Sequence, residues 1–457
     1  MRINWNDPKL ISIIIGVILV LTSIFFGKFI SASSTSTVIS IILAIVFFIV
    51  VLVNTDAGLI LLIFSMLLSP EIGAGKAPGR EIIIRFEDIL LAIITFTWFA
   101  KTAINKGLAL FVKTPINKAM GVYILICVIS TLKGAVFGTV NLAEGFFYTL
   151  KYSEYFLLFL LVVNHIHSKK QIKVFLTAIF LTCAVVSIYG ILQIPSGERV
   201  SAPFEGQTGE PNTFGGYLLF ILCLAVGIYL HKVPRKIKIA MAGIIIISFI
   251  PFLFTLSRAS YIAIIFSFFT FIILSRKKAE LITAVAVIIM TAIILRPEAI
   301  FSRVKYTFQK ERESVKIGNI YLDPSASARV RSWSESIQTW MKNPIIGRGV
   351  TGFMFIDGQY MMILPELGIL GLLAFLWLLW VIFKNSLNIF KKEKDELFKG
   401  LALGFLAGFI GLTIHALTAN TFIIVRIMEP FWFIAGIVMM LPSLKDNNGT
   451  AEVNLSK

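Results

Sequence analysis

Arginines set among long apolar runs could hold an anion, and acids near the last of them could move a proton. Arg258 stands in T-L-S-R-A-S-Y, a few residues from the apolar run on either side. A guanidinium at such a junction costs free energy unless it meets an anion or snorkels to the headgroup region, and Ser257 and Ser260 add hydroxyls suited to a phosphate. Arg199 lies in the Gly/Pro-rich stretch Q-I-P-S-G-E-R-V-S-A-P-F-E-G-Q-T-G-E-P-N, where solvation and anion binding account for it equally well. Arg329 and Arg331 open S-A-R-V-R-S-W-S-E-S-I-Q-T-W, and for both a lipid-headgroup contact is the plain alternative. Arginines without matching acids suit a diphosphate, because the planar guanidinium grips it with paired donors.

Asp357 follows a glycine-rich turn. It could take a proton from a sugar hydroxyl if desolvation raises its pKa, or it could cap the helix that begins after it. Glu366 lies more than two helical turns further into an apolar run, where an acid is a functional candidate, with a structural pair to Arg426 as the alternative. His415 sits near Thr413 and Thr418 at a helix end, as a catalyst or, more commonly at such a place, as a packed helix residue. No zinc-protease helix, acidic metal pair, phosphate loop or serine elbow occurs, so the expectation is no metal and no cofactor.

The elements that must position these residues are membrane helices. Of the 457 residues 57% are hydrophobic and 40 are Phe, a composition foreign to a water-soluble domain. With about 20 apolar residues per crossing, cores fall near 10–27, 37–53, 57–69, 88–106, 117–137, 142–164, 171–194, 212–231, 238–255, 259–275, 279–296, 359–383, 398–418 and 421–442. The expected fold class is all-α, a polytopic integral membrane protein of about 12–14 transmembrane helices with one large extracytoplasmic loop carrying an amphipathic helix. In that loop Trp333, Ile337 and Trp340 share a helical face after an N-cap at Ser325 or Ser327, a pattern suited to lying on the membrane surface. The first run is too long for a signal-peptide core and has no cleavage pattern after it, so it reads as a retained helix.

The net charge of +17 comes from short Lys/Arg clusters between apolar runs, as cytoplasmic loops require, and not from a nucleic-acid-binding face. Basic connections alternate from the fourth run onward, which puts both termini in the cytoplasm and Arg199, Arg258, the 296–358 loop and His415 on the outer side. Cys127, Cys183 and Cys223 lie inside apolar runs with no metal-ligand spacing and read as packing residues. The organisation expected is N-terminal transmembrane helices over 1–184, a catalytic region over 185–442 and a polar cytoplasmic tail over 443–457.

In order along the chain, R199-V-S-A-P-F-E with P211-N-T, then T-L-S-R-A-S-Y, then R329 four residues before W333 with N-P-I-I-G-R-G-V-T-G-F, then D357-G-Q-Y with P-E-L-G-I-L-G, together resemble the O-antigen ligase and O-antigen polymerase superfamily of bacterial membrane proteins. The resemblance covers about residues 185–440. It implies a GT-C-like, metal-independent transfer of glycan from an undecaprenyl-diphosphate carrier to an acceptor hydroxyl of a glycan or lipid, in the bacterial cytoplasmic membrane. It maps Arg199, Arg258 and Arg329 onto arginines that hold the donor diphosphate. The ligase branch typically has His-Asn where this chain has Asp357-Gly358, which resembles more closely the polymerase-type or Gram-positive members. A flippase for lipid-linked glycans and a structural scaffold are the readings from other classes. The first should carry polar residues through both halves of the membrane, and the second has no need of Arg258.

Overall fold

The structure, a computed structural model, describes residues 48–444 except 52, 78–79, 105–110, 206–208, 276, 279, 282–315, 318–319 and 322–323. The run expected at 10–27, most of 37–53, nearly all of 279–296, much of the 296–358 loop and the tail beyond Leu444 lie outside the described residues. The chain divides into two compact units, Met1–Gly58 and Leu59–Lys457. In the first, Asn54 Oδ1 accepts the Ala57 N–H at 3.2 Å where helix α1 (Thr55–Leu68) begins.

The second unit continues with an antiparallel hairpin, β1 (Glu71–Ala77) and β2 (Arg80–Arg85), in which Glu71 lies opposite Arg85. Then come α2 (Phe86–Ile104), α3 (Asn117–Val136), α4 (Leu142–His165), α5 (Lys169–Gln193), α6 (Pro211–Tyr229), α7 (Arg235–Phe254) and α8 (Arg258–Leu274). A two-residue ladder of β3 (Lys316–Ile317) with β4 (Ile320–Tyr321) precedes α9 (Pro324–Lys342), α10 (Gln359–Lys392), α11 (Glu396–His415) and α12 (Val425–Met440). Among the described residues eight helices are long and apolar enough to cross a membrane, namely α3 to α7 and α10 to α12, and α1 and α8 are shorter apolar helices. The protein is therefore of the all-α polytopic class. Each run expected within the described region coincides with a helix, and the β1–β2 hairpin is an addition to the expected pattern. Helix α10 also runs to Lys392, past the expected end at 383, because Ile382, Ser386, Ile389 and Phe390 keep one face buried beyond the apolar core.

The tightest seam joins α6 to α11. Gly400, Gly404 and Gly408 recur at every fourth residue of α11, so one face of that helix has no side chains and the backbones close in. A Cβ on Gly227 of α6 would stand 2.4 Å from the Gly404 nitrogen. Helix α12 is buried along its length, and its Phe431 ring stacks on Phe405 and Phe409 of α11.

The glycine-rich segment after α9 completes a break in α10. Pro365 has no N–H, and Gly368 leaves helical geometry at φ +69, so carbonyls in this turn lose their helical donors. The loop supplies others: Arg348 N–H donates to Pro365 O (2.9 Å), Gly349 N–H to Glu366 O (2.8 Å) and Ser130 Oγ–H to Glu366 O (2.7 Å). In return Ile369 N–H donates to Pro344 O at 2.8 Å. A Cβ on Gly368 would lie 2.4 Å from Ile345 O, and one on Gly347 (φ +73) 2.5 Å from the Glu366 carbonyl. Gly347→Ala or Gly368→Ala should therefore destabilise the detergent-solubilised protein by about 1–3 kcal/mol. Gly121→Ala, with nothing within 4 Å of the added carbon, should leave the melting temperature within a degree or so or raise it slightly.

Candidate functional site: a basic pocket at three helix starts

Arg199, Arg258 and Arg329 line one cavity of about 350 Å³. Three helices also begin at it: Asn212 is the second residue of α6, Arg258 and Ala259 are the first two of α8, and Ser325 and Ala326 follow the first residue of α9. The positive end of each helix dipole thus adds to the guanidinium charge, which makes this end of the bundle suited to an anion.

Each arginine is set by local chemistry. Arg199 donates through Nε to Thr255 O (2.9 Å) and through Nη2 to Asn212 Oδ1 (3.2 Å), so it bridges the end of α7 and the start of α6. Its loop is closed by Gln193, whose amide pairs in both directions with the Ser201 backbone (2.9 and 3.1 Å). Arg258 is the first residue of α8, placed by a sharp junction in which Leu256 adopts φ +50. Ser257 caps that helix by accepting the Ser260 N–H, and the Ser260 hydroxyl donates to Ser257 Oγ at 2.9 Å. Both serines are buried, so their hydroxyls support the junction and do not line the pocket, contrary to the expectation that they would serve a phosphate.

Arg329 does have a matching acid. Its Nη2 and Nε lie 2.9 and 3.1 Å from Asp357 Oδ2, and its Nη1 donates to Ser325 Oγ at 3.2 Å. The Asp357 side chain is 47% exposed against 22% for Arg329; it is outside the cavity lining itself but bonded to Arg329 and Trp333 of that lining, which puts it at the rim with one oxygen engaged. It does not cap α10, whose start at Gly358 has no side-chain cap bond. Ser325 is not an N-cap either, since α9 begins at Pro324 and Ser325 is already inside the helix. Trp333 was expected on a membrane-facing stripe, yet it lines the pocket and donates its indole N–H to Asp357 O at 2.7 Å. The helix that carries it packs on the start of α10, where Ser336 donates to Met361 O.

The remaining candidates stand elsewhere. Arg331 is exposed and outside the pocket lining. Glu366 is buried, and its Oε1 accepts the Thr351 N–H at 2.9 Å, so it secures the glycine turn and is not part of the basic pocket. The alternative partner of Glu366, Arg426, is placed by other groups. Arg426 is 3.7 Å from Glu205 and donates to the carbonyls of Leu67 (2.8 Å), Ser69 (3.3 Å) and Phe204 (2.9 Å). His415 is fully buried, bonded through Nδ1 to Thr421 Oγ1 at 2.8 Å. Its Nε2 has no hydrogen-bond partner among the described residues and faces Gly216 of α6. Asn212, Trp333, Ser325 and Thr418 join the pocket without having been singled out as ligands. Only the P-N pair after Arg199 and the tryptophan four residues after Arg329 gave a trace of them in the chain.

Elsewhere the fold gathers Asp88, Glu154 and Glu429, the one described set of carboxylates close enough to share a metal ion. Lys151 Nζ already lies 2.6 Å from Asp88 and 3.0 Å from Glu154, supplying a cation among them. Glu205 matters differently. Burial pushes its carboxyl up from its ordinary 4.5 to about 8 against the opposing pull of Arg426. A carboxyl that stays protonated in the folded state while it ionises in the unfolded chain favours unfolding, so its contribution to stability is greatest below about pH 4.5 and falls as pH rises to about 8. Melting temperatures measured across that range should show this slope, and Glu205→Gln should flatten it.

The fold and pocket define a class: a polytopic helical membrane protein with a basic cavity at one end of its bundle. Residues 243–376, from within α7 to within α10, match the family model of the O-antigen ligases. The match contains Arg258, Arg329, Arg331, Asp357 and Glu366, with Arg199 and His415 outside it, and supports membership of the O-antigen ligase and polymerase superfamily, which assembles glycans in membranes. A comparison with curated proteins found no match.

Proposed function

We propose that this protein is a glycosyltransferase that joins glycan from an undecaprenyl-diphosphate donor to an acceptor hydroxyl at the outer face of the cytoplasmic membrane, and that it polymerises repeat units. The observation that carries this reading is the convergence of three arginines and three helix starts on one cavity with Asp357 at its rim. The polyprenyl tail would remain in lipid while the diphosphate enters the pocket. As the acceptor oxygen bonds to the anomeric carbon, the bond from that carbon to the diphosphate oxygen breaks. Arg199, Arg258 and Arg329 then stabilise the charge that the departing diphosphate gains. Asp357, with one oxygen turned to Arg329 and the other available at the rim, takes the acceptor proton. The fixed guanidiniums supply here the charge stabilisation for which other transferases employ a divalent cation, and no cofactor is needed to energise a donor that already carries its leaving group.

Polymerisation is favoured by Asp357-Gly358 in place of a ligase-like His-Asn. Ligation is the second reading, favoured by the ligase description of the matched family. Mass spectrometry of the lipid-linked pool from a deletion strain separates them. Single repeat units on the carrier or anchor are expected for a lost polymerase, and full-length chains held on the carrier for a lost ligase. Repeat units confined to the cytoplasmic leaflet would overturn both in favour of a flippase. The reading also requires the pocket end to face outward. A single cysteine at the exposed Glu198 should label from outside in a background without Cys127, Cys183 and Cys223, and one at Lys170 should not.

A further inference from the structure

At the other end of the same helices lies a second cavity, of about 460 Å³, which glycan transfer does not use. Helices α6, α8 and α11 run from one cavity to the other, and the 19 residues of α6 set the two about 28 Å apart. Four lysines from four separate segments line it: Lys232 just after α6, Lys277 beyond α8, Lys391 in the last turn of α10 and Lys399 in the first turn of α11. The acid in the lining is Glu396, which accepts the Lys232 backbone N–H at 3.1 Å, and Lys277 also has Glu280 at 3.3 Å. The lining also holds apolar side chains, Leu230, Leu274 and Phe390. Lys399 Nζ stands 5.9 Å over the Phe390 ring and His231 meets that ring edge-on, so charged and apolar lining meet at Phe390.

The general bias that places lysines at cytoplasmic helix ends is met by charge anywhere in a connecting segment. It does not require four segments to turn their charge toward one cavity, nor that cavity to have a hydrocarbon wall. We propose that this cavity seats the phosphate headgroup of an anionic membrane phospholipid, with the lysines on the phosphate and Leu230, Leu274 and Phe390 against the glycerol and first methylenes. A lipid is favoured over free phosphate because the cavity opens at the level where membrane-spanning helices end and offers the apolar surface that free phosphate could not use.

The test is native mass spectrometry of the detergent-purified full chain titrated with phosphatidylglycerol, phosphatidylcholine or inorganic phosphate. The expected result is retention of phosphatidylglycerol in clear preference to phosphatidylcholine. Binding should fall about 25-fold in Lys232→Gln/Lys391→Gln, at roughly fivefold per lysine. These two side chains are exposed, so the variant keeps its packing. The control Lys170→Gln/Lys173→Gln removes two exposed lysines near the same end but outside the cavity, and it should bind as the parent does. Equal retention of both lipids, or an equal loss in the control, would overturn the site. Displacement of phosphatidylglycerol by millimolar phosphate would overturn the lipid in favour of a free-phosphate site.

Discussion

Arg258→Ala is expected to cut glycan transfer roughly 10²–10³-fold, the usual effect of removing one preorganised donor from a developing anion. Arg258→Lys should recover little of this. A lysine keeps the charge but loses the planar fork, and it would have to reach the cavity from the first residue of α8 with a single rotating ammonium. The junction should survive both changes. It is held by Ser257 and Ser260 and by the Thr255 hydroxyl donating to Phe252 O at 2.8 Å, so membrane insertion and melting temperature should match the parent. Transfer at the parental rate in Arg258→Ala would show that the arginine merely snorkels. Arg331→Ala, outside the pocket, should lose less than a few-fold, and the contrast between the two arginines tests the cavity itself.

Asp357→Asn should lower transfer about 10²–10⁴-fold, the range for a lost general base, while the carrier diphosphate still binds. Asparagine keeps an oxygen for Arg329 and leaves the Trp333 bond to the backbone intact, so the rim geometry remains while the proton acceptor is lost. Asp357→Ala removes the Arg329 partner as well, and should add a loss of donor affinity. If instead both variants lose affinity and neither loses turnover at saturating donor, Asp357 is a positioning residue for Arg329. Full activity in Asp357→Asn would remove the acid from the chemistry altogether. Glu366→Gln gives the complementary result. Its Oε1 is bound to the Thr351 N–H inside the turn, so the expected effect is on melting temperature, with the rate per folded molecule unchanged.

Much of this protein was legible in the chain because a bilayer imposes a one-dimensional code. A run of apolar residues long enough to cross must be helical, since no water is present to satisfy its backbone, and so α3 to α7 and α10 to α12 stand where composition alone put them. Arg258 was legible for the same reason, as a charge that hydrocarbon does not tolerate without cause. Local rules also carry the turn at Gly347, Gly349 and Gly368, whose positive φ values only glycine adopts at little cost.

What spacing cannot carry is which distant groups meet. Arg199 and Asn212, and Arg329 and Asp357, are brought together by chain crossings that no periodicity records. Asp357 and Glu366 looked alike in sequence, as acids flanking one apolar start, but Asp357 is bonded to Arg329 and Trp333 of α9 while Glu366, beside the break at Pro365 and Gly368, turns into the glycine loop. Trp333 has the spacing of a membrane face and the contacts of a pocket wall, because apolar periodicity reports that a face is covered and not by what. The sequence by itself determined the membrane helices and named the charges that needed partners. The tertiary structure decided those partners, since a hydrogen bond or ion pair depends on an approach within a few ångströms that only the packing of α6, α8, α9 and α10 creates.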